Sequence, residues 1–153
     1  PTSENQISST AIREALLNGD LEKANMMLGR PYEVRGHVTE GDSRGRELGF
    51  PTANIRVPSE RLLPLDGVYA GFYESSDGCK YPSAISLGTR PHFYNDGDLL
   101  LEVHLIDENL DLYGDFSKIT FEKFLRNQKR FENIDSLIKQ LEFDVDDARI
   151  ALS

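Results

Sequence analysis

The sequence predicts a mainly β fold: six short strands closing into an antiparallel barrel, with short helices before it and one amphipathic helix after it. Three observations predict it. Apolar residues recur at helical spacing up to Leu28, the period changes to two beyond Pro31, and helical spacing returns at about Ile134. Turn signals divide the middle region into six runs, and closing short strands into a barrel hides their edges most completely.

Each element has its own signal. Ser8 or Ser9 caps a first helix whose Ile12, Ala15 and Leu16 share a face, and Asn18-Gly19 stops it. Asp20 caps a second, which turns Leu21, Ala24, Met27 and Leu28 toward an apolar surface and ends at Gly29, before Pro31. The strands run approximately from Tyr32 to Val38, Phe50 to Val57, Val68 to Tyr73, Cys79 to Leu87, Leu99 to Asp107 and Lys118 to Leu125. Asp66-Gly67, Ser75-Ser76-Asp77-Gly78, Asn95-Asp96-Gly97 and Tyr113-Gly114 are the turns between them. In the last segment Ile134, Leu137, Ile138, Leu141, Val145 and Ala148 fall on one face, capped by Asn133 or Asp135, so one helix packs against the barrel.

At 153 residues and 39% hydrophobic, the chain can bury a real core and is expected to be one domain with an appendage. Twenty-six acidic against seventeen basic residues give a net charge of −9, the wrong sign for neutralising a nucleic-acid backbone. The single Cys79 has no internal disulfide partner, and no apolar run approaches the roughly 20 residues needed to cross a bilayer. The opening PTSENQISST lacks the regions of a signal peptide and reads as a cut inside a longer protein. The expected setting is soluble and cytoplasmic, with no nucleic-acid or membrane partner.

Most chemical information lies in GDSRGRELGFPTAN. Gly41, Gly45 and Gly49 let the backbone approach a ligand, and Arg44 and Arg46 bring positive charge to an acidic protein, which suits a polyphosphate. A plain hairpin connection with solvated arginines fits the loop equally well. It is no Walker A loop, because no Gly-Lys-Ser/Thr follows. On the strand after it, Ala53, Ile55 and Val57 turn to the core, so Thr52 and Asn54 share the opposite face. A hydroxyl and an amide oxygen there match magnesium, which takes hard oxygens, keeps several waters and draws other ligands from nucleotide phosphates. Ordinary exposed strand residues are the alternative.

In LLLEVHLID, Leu101, Val103 and Leu105 take one face, so Glu102 and His104 project from the other. Glu102 is either a solvent-facing residue or a general base that removes a proton from an attacking hydroxyl. His37 and His92 stand far apart, and neither zinc-ligand spacing nor a nucleophile elbow is present. A non-catalytic nucleotide- or flavin-binding barrel and a structural interaction domain are the rival readings.

These features converge in seven ordered motifs: LGRPYEVRGHV, RGRELGFPTAN, LPLDGVYA, SLGTRPHF, LEVHLID, DLYG and FLRNQKRF. From about Gly29 to Arg149 the chain closely resembles the riboflavin kinase domain of bacterial bifunctional riboflavin kinase/FMN adenylyltransferase. The opening ISSTAIREALLNGD looks like the tail of the preceding adenylyltransferase domain, making 1–28 a remnant and 29–153 the kinase domain. The resemblance implies a Greek-key barrel that phosphorylates riboflavin at its 5′-hydroxyl with ATP and magnesium. It implies that Thr52 and Asn54 bind magnesium and phosphate, and that Glu102 is the catalytic base. It further implies that the loop with Gly41, Arg44, Gly45, Arg46, Gly49, Phe50 and Pro51 closes over ATP, and that Arg126 and the segment to Phe131 flank the flavin. His92 departs from the family pattern, where Thr is common after Arg-Pro.

Overall fold

The computed structural model describes residues 2–39, 52–57, 63–88, 99–108 and 110–153, with those at 2–9, 99 and 100 described by backbone alone. Helices α1 (Thr2–Leu17) and α2 (Leu21–Leu28) form an N-terminal hairpin. The first helix starts well before the expected Ser8, so Ser8 and Ser9 lie inside it and do not cap it. The preceding residues include Glu4 and Gln6, good helix formers, and nothing in them breaks a helix. Each helix ends on a glycine in the left-handed region, Gly19 at φ 83° and Gly29 at φ 74°. The crossed bonds of a Schellman end follow: Gly19 N to Leu16 O with Asp20 N to Ala15 O, and Gly29 N to Met26 O with Arg30 N to Asn25 O. Asp20 caps α2 by accepting from Lys23 N.

Beyond Pro31 come β1 (Tyr32–Thr39), β2 (Ala53–Val57), β3 (Gly67–Glu74), β4 (Lys80–Leu87), β5 (Leu99–Leu105) and β6 (Phe116–Arg126). They close into a barrel in the order β1-β2-β5-β4-β3-β6, and every pairing is antiparallel. The meander β3-β4-β5 is flanked by β2 beside β5 and β6 beside β3, which makes two overlapping Greek keys. The expected strands are all present with shifted ends. β5 stops at Leu105, because Ile106 and Asp107 turn away and Asp107 takes φ 63°. Phe50 and Pro51 lie outside the described residues.

β6 is long enough to serve two neighbours, pairing with β1 through Phe116–Phe121 and with β3 along most of its length. Its register against β3 shifts twice, leaving Leu125 and Glu122 unmatched, and such bulges bend a strand around a barrel corner. Gly71 stands at the second shift, where a Cβ would come within 1.8 Å of Thr120 O. Only glycine allows that approach.

Inside the barrel, Tyr69, Tyr73, Phe121, Ile55, Ile85, Leu101 and Val103 form one core. Tyr69 meets Phe121 and Phe124 edge-on, with each pair of ring centroids 5.2 Å apart. Ala15, Leu16, Leu21 and Ala24 belong to the same core, so the helical hairpin closes one end of the barrel. Two polar ties fix it there. Asn25 donates to Phe121 O at 2.9 Å and accepts from Tyr32 N at 2.8 Å, and Leu65 N bonds Leu16 O at 2.9 Å.

The last helix, α3 (Ile134–Leu152), is capped by Asn133, whose side chain accepts from Ser136 N at 2.8 Å. It packs on the outer face of the sheet through Val145, Ala148, Ala151 and Leu152, against Ala70, Ala84, Leu125 and Ile106. The expected apolar face is corrected at its start, because Ile134 in the first turn is 52% exposed. Asp144, a residue its polarity would assign to water, is buried on that face.

Candidate active site

The side-chain alternation on β2 and β5 is set by the core. Ile55, Val57, Leu101, Val103 and Leu105 are buried inward and Ala53 packs against them, which leaves Asn54, Arg56, Glu102 and His104 on the outer face. Because the Greek key brings β2 against β5, residues far apart in sequence become neighbours. Asn54 is paired with Glu102, and Glu102 with Ser86 of β4.

The ladder continues on both sides. Thr39 of β1 pairs with Asn54, Val68 of β3 with Ser86, and Arg126 of β6 with Val68, so one row of directly opposed residues runs around the barrel. Opposed residues of an antiparallel pair point to the same face with Cβ atoms about 5 Å apart. Asn54 and Glu102 are therefore close neighbours, while Arg126 stands three strands from Glu102. Asn54 is only 7% exposed, and Glu102 is half-buried. Thr39 Oγ1 donates to Asn54 O at 3.3 Å, joining β1 to the row through a side chain. Thr52, half-buried, immediately precedes β2.

Arg126 is engaged elsewhere than at the row. Its Nε and Nη2 each donate to one carboxylate oxygen of Asp144 at 2.7 Å, and Nη1 donates to Asn127 O at 3.0 Å. Gln140 adds a bond to Asp144 Oδ1 at 3.0 Å, and Lys129 Nζ reaches Gln140 Oε1 at 3.2 Å. The segment after β6 is thus moored to α3. Its Gln128 turns the other way, donating from Nε2 to Ser86 Oγ and Leu87 O at 3.0 Å and to Gly67 O at 3.4 Å. Phe131 follows, half-buried.

Of the residues singled out from sequence, Asn54 and Glu102 are brought together, Thr52 precedes Asn54 in the chain with Ala53 between them, and Arg126 and Phe131 flank the segment beyond β6. Gly41, Arg44, Gly45, Arg46, Gly49, Phe50, Pro51 and His92 lie outside the described residues. Ser86, Gln128 and Asp144 were not singled out. Asp144 carried a faint signal, a carboxylate three residues past Leu141 and four before Ala148 on an otherwise apolar face. Among the described residues no group of three or more His, Cys, Asp or Glu side chains can hold a metal ion. A cation at this row would take neutral oxygens from Thr52 and Asn54 and the rest of its shell from phosphate and water, a donor set that fits magnesium.

A family model described as "Flavokinase: Riboflavin kinase" matches residues 28–152. The bifunctional riboflavin kinase/FMN adenylyltransferase of Listeria monocytogenes is 42% identical over 144 residues, covering 94% of this chain and 46% of that protein. Its counterpart from Bacillus subtilis is 41% identical over 147 residues, covering 95% and 46%. The chain therefore spans about half the length of the curated relatives it matches. A crystal structure described as a macrolide-efflux protein from Streptococcus pneumoniae superposes with TM-score 0.83 and 35% identity, covering 92% of this chain and 46% of that one. Riboflavin kinase from Trypanosoma brucei gives TM-score 0.59 and 26% identity, covering 80% and 77%.

Proposed function

Because the chain belongs to the riboflavin kinase family, we propose that it transfers the γ-phosphoryl group of ATP to the 5′-hydroxyl of riboflavin, yielding FMN and ADP with magnesium as the metal. The observation that carries this reading is the register that sets Asn54 opposite Glu102 on the outer face of β2 and β5. Phosphoryl transfer asks little of a protein beyond alignment, charge neutralisation and an acceptor for the hydroxyl proton. The riboflavin hydroxyl oxygen attacks the γ-phosphorus, the bond from that phosphorus to the bridging oxygen breaks, and ADP leaves with the electron pair. Glu102 takes the hydroxyl proton. Thr52 and Asn54 supply oxygens for the metal, which when bound neutralises phosphate charge. The glycine-arginine loop with Arg44 and Arg46 precedes β2 in the sequence and in this reading covers the nucleotide. Arg126 and the segment to Phe131 flank the flavin, Arg126 by shaping that segment from its seat on Asp144.

The names of the curated relatives support a further part of the reading, that the chain is one module of a bifunctional enzyme that also carries an FMN adenylyltransferase domain; that this domain lies upstream and that the enzyme is cytoplasmic rest on the sequence alone. The efflux name of the Streptococcus pneumoniae protein finds no counterpart in the residues of this site, and the stretch it matches overlaps the one the riboflavin kinase model describes.

Incubation with riboflavin, ATP and magnesium should yield FMN, and the absence of FMN would refute the kinase reading. Glu102→Gln should lower turnover by roughly two to four powers of ten, the usual worth of general acid-base catalysis, with flavin affinity nearly unchanged. Near-normal turnover in a folded Glu102→Gln chain would remove Glu102 from the role of base.

A further inference from the structure

We propose that Gln128 is a positioning residue for this reaction: its amide pins the segment after β6 to the ends of β3 and β4, one strand away from Glu102. The proposal rests on the kinase reading above, in which that segment flanks the flavin.

The geometry identifies the amide's orientation. Two of the three groups facing Gln128 Nε2 are the backbone carbonyls of Leu87 and Gly67, which only accept, so the nitrogen and not the oxygen must point at them. Its two hydrogens are shared among three acceptors, the third being Ser86 Oγ at 3.0 Å. Ser86 is the direct cross-strand partner of Glu102, so the end of the Gln128 side chain stands at the border of the proposed catalytic row.

Position along the chain gives this bond its consequence. Gln128 itself is exposed and outside the core, so among the described residues these bonds fix where its side chain sits. On either side of it, Arg126 is held by Asp144 and Lys129 by Gln140, both on α3. Residues 126–129 are therefore clamped from two directions, with α3 setting the distance from the sheet and Gln128 setting the offset along it. A ligand lying between this segment and Glu102 has its place decided by both. Loss of the Gln128 clamp should loosen the flavin side and leave the nucleotide side, on the opposite flank of Glu102, as it was.

Gln128→Met keeps the length and removes both donors, and the exposed position makes it tolerable to the fold. Amide hydrogen exchange should accelerate across residues 127–131. The KM for riboflavin should rise about tenfold, the worth of two neutral hydrogen bonds, while kcat and the KM for ATP stay within about threefold. A riboflavin KM within twofold of the unsubstituted chain, or an equal rise in both KM values, would overturn the proposal. If the unsubstituted chain made no FMN, the kinase reading alone would fall. Hydrogen exchange and a riboflavin fluorescence titration would then still decide the clamp, with unchanged exchange and unchanged flavin affinity overturning it.

Discussion

Leu16→Ala tests whether the N-terminal helices belong to the barrel or merely precede it. Leu16 is 0% exposed, and it shares one core with Tyr69, Phe121 and Val34. Truncating a fully buried leucine removes its transfer free energy and leaves a cavity, together about 3 kcal/mol within a range of about 2–5. The barrel strands around it are hydrogen-bonded on both sides and cannot collapse into the space, so the lower end of that range is not expected. For a chain of this size, with a urea dependence of about 2 kcal/mol per molar, the unfolding midpoint should fall by roughly 1.5 M. Met26→Ala, at a side chain 75% exposed on the neighbouring helix, is the control and should shift it by less than about 0.3 M. Urea titrations followed by circular dichroism measure both. A Leu16→Ala midpoint as close to the unsubstituted one as that of Met26→Ala would refute the shared core. By the same reasoning a chain beginning at Gly29 should be less stable than the whole, because Leu21, Ala24 and both bonds of Asn25 would be lost as well.

Gly71→Ala should be severe, costing about 3 kcal/mol or more, because the new methyl would meet the backbone carbonyl of Thr120, which cannot give way. Gly114→Ala, at φ 84° with nothing within 4 Å of the added carbon, should cost only about 1 kcal/mol of backbone strain, and equal melting temperatures for the two would contradict this account. Asp144→Ala strands a guanidinium whose side chain is 15% exposed and should destabilise by about 3–5 kcal/mol, whereas Arg126→Met with Asp144→Leu should recover much of the loss in urea titrations. At Asp115, burial pushes the carboxyl up, but hydrogen bonds from Ser76 and Tyr73 outweigh it and hold the group below the ordinary range. A depressed carboxyl contributes stability that is full above the unfolded value of about 4 and is lost as pH falls through the folded one. Asp115→Asn should therefore flatten the acid limb of the stability profile, and an unchanged limb would show that the bonds do not favour the charged form.

The elements legible in the sequence are those whose burial pattern is local. Leu101, Val103 and Leu105 announce an inward face whatever strand lies beside them, so the outward course of Glu102 follows at once. The same holds for Asn54 between Ala53 and Ile55. What the pattern cannot announce is adjacency, because nothing within LEVHLID or PTAN says that β2 will lie against β5 rather than against β3. The double bulge of β6 was hidden for a related reason, since it answers to the closure of the barrel and not to the residues of β6. Asp144 was not singled out because its partner Arg126 is brought to it only by the packing of α3 on the sheet. Likewise Gln128 carries no period and no turn chemistry, and its acceptors are two backbone carbonyls and a serine hydroxyl on strands some 40 to 60 residues earlier in the chain.

The neighbourhood of Asn54 and Glu102 is held by the apolar residues that alternate with them. β2 has five residues, and all five are paired with β5, from Ala53 opposite Val103 to Val57 opposite Leu99. A slip of one residue between these strands would turn Asn54 and Arg56 into the core and bring Ile55 and Val57 out, reversing every burial on the strand. A slip of two would keep the faces but move Glu102 about 7 Å along the strand from Asn54, and would unpair two residues of the described ladder, Arg56 and Val57 if β2 moved toward Leu99 or Leu99 and Leu100 if it moved toward Leu105. Either change exposes apolar surface or breaks ladder bonds at a cost of several kcal/mol, large against the roughly 5–15 kcal/mol by which a domain is stable. The apolar residues of β2 and β5 therefore specify the site as firmly as the polar ones do: they select the one register in which an amide oxygen and a carboxylate face outward side by side.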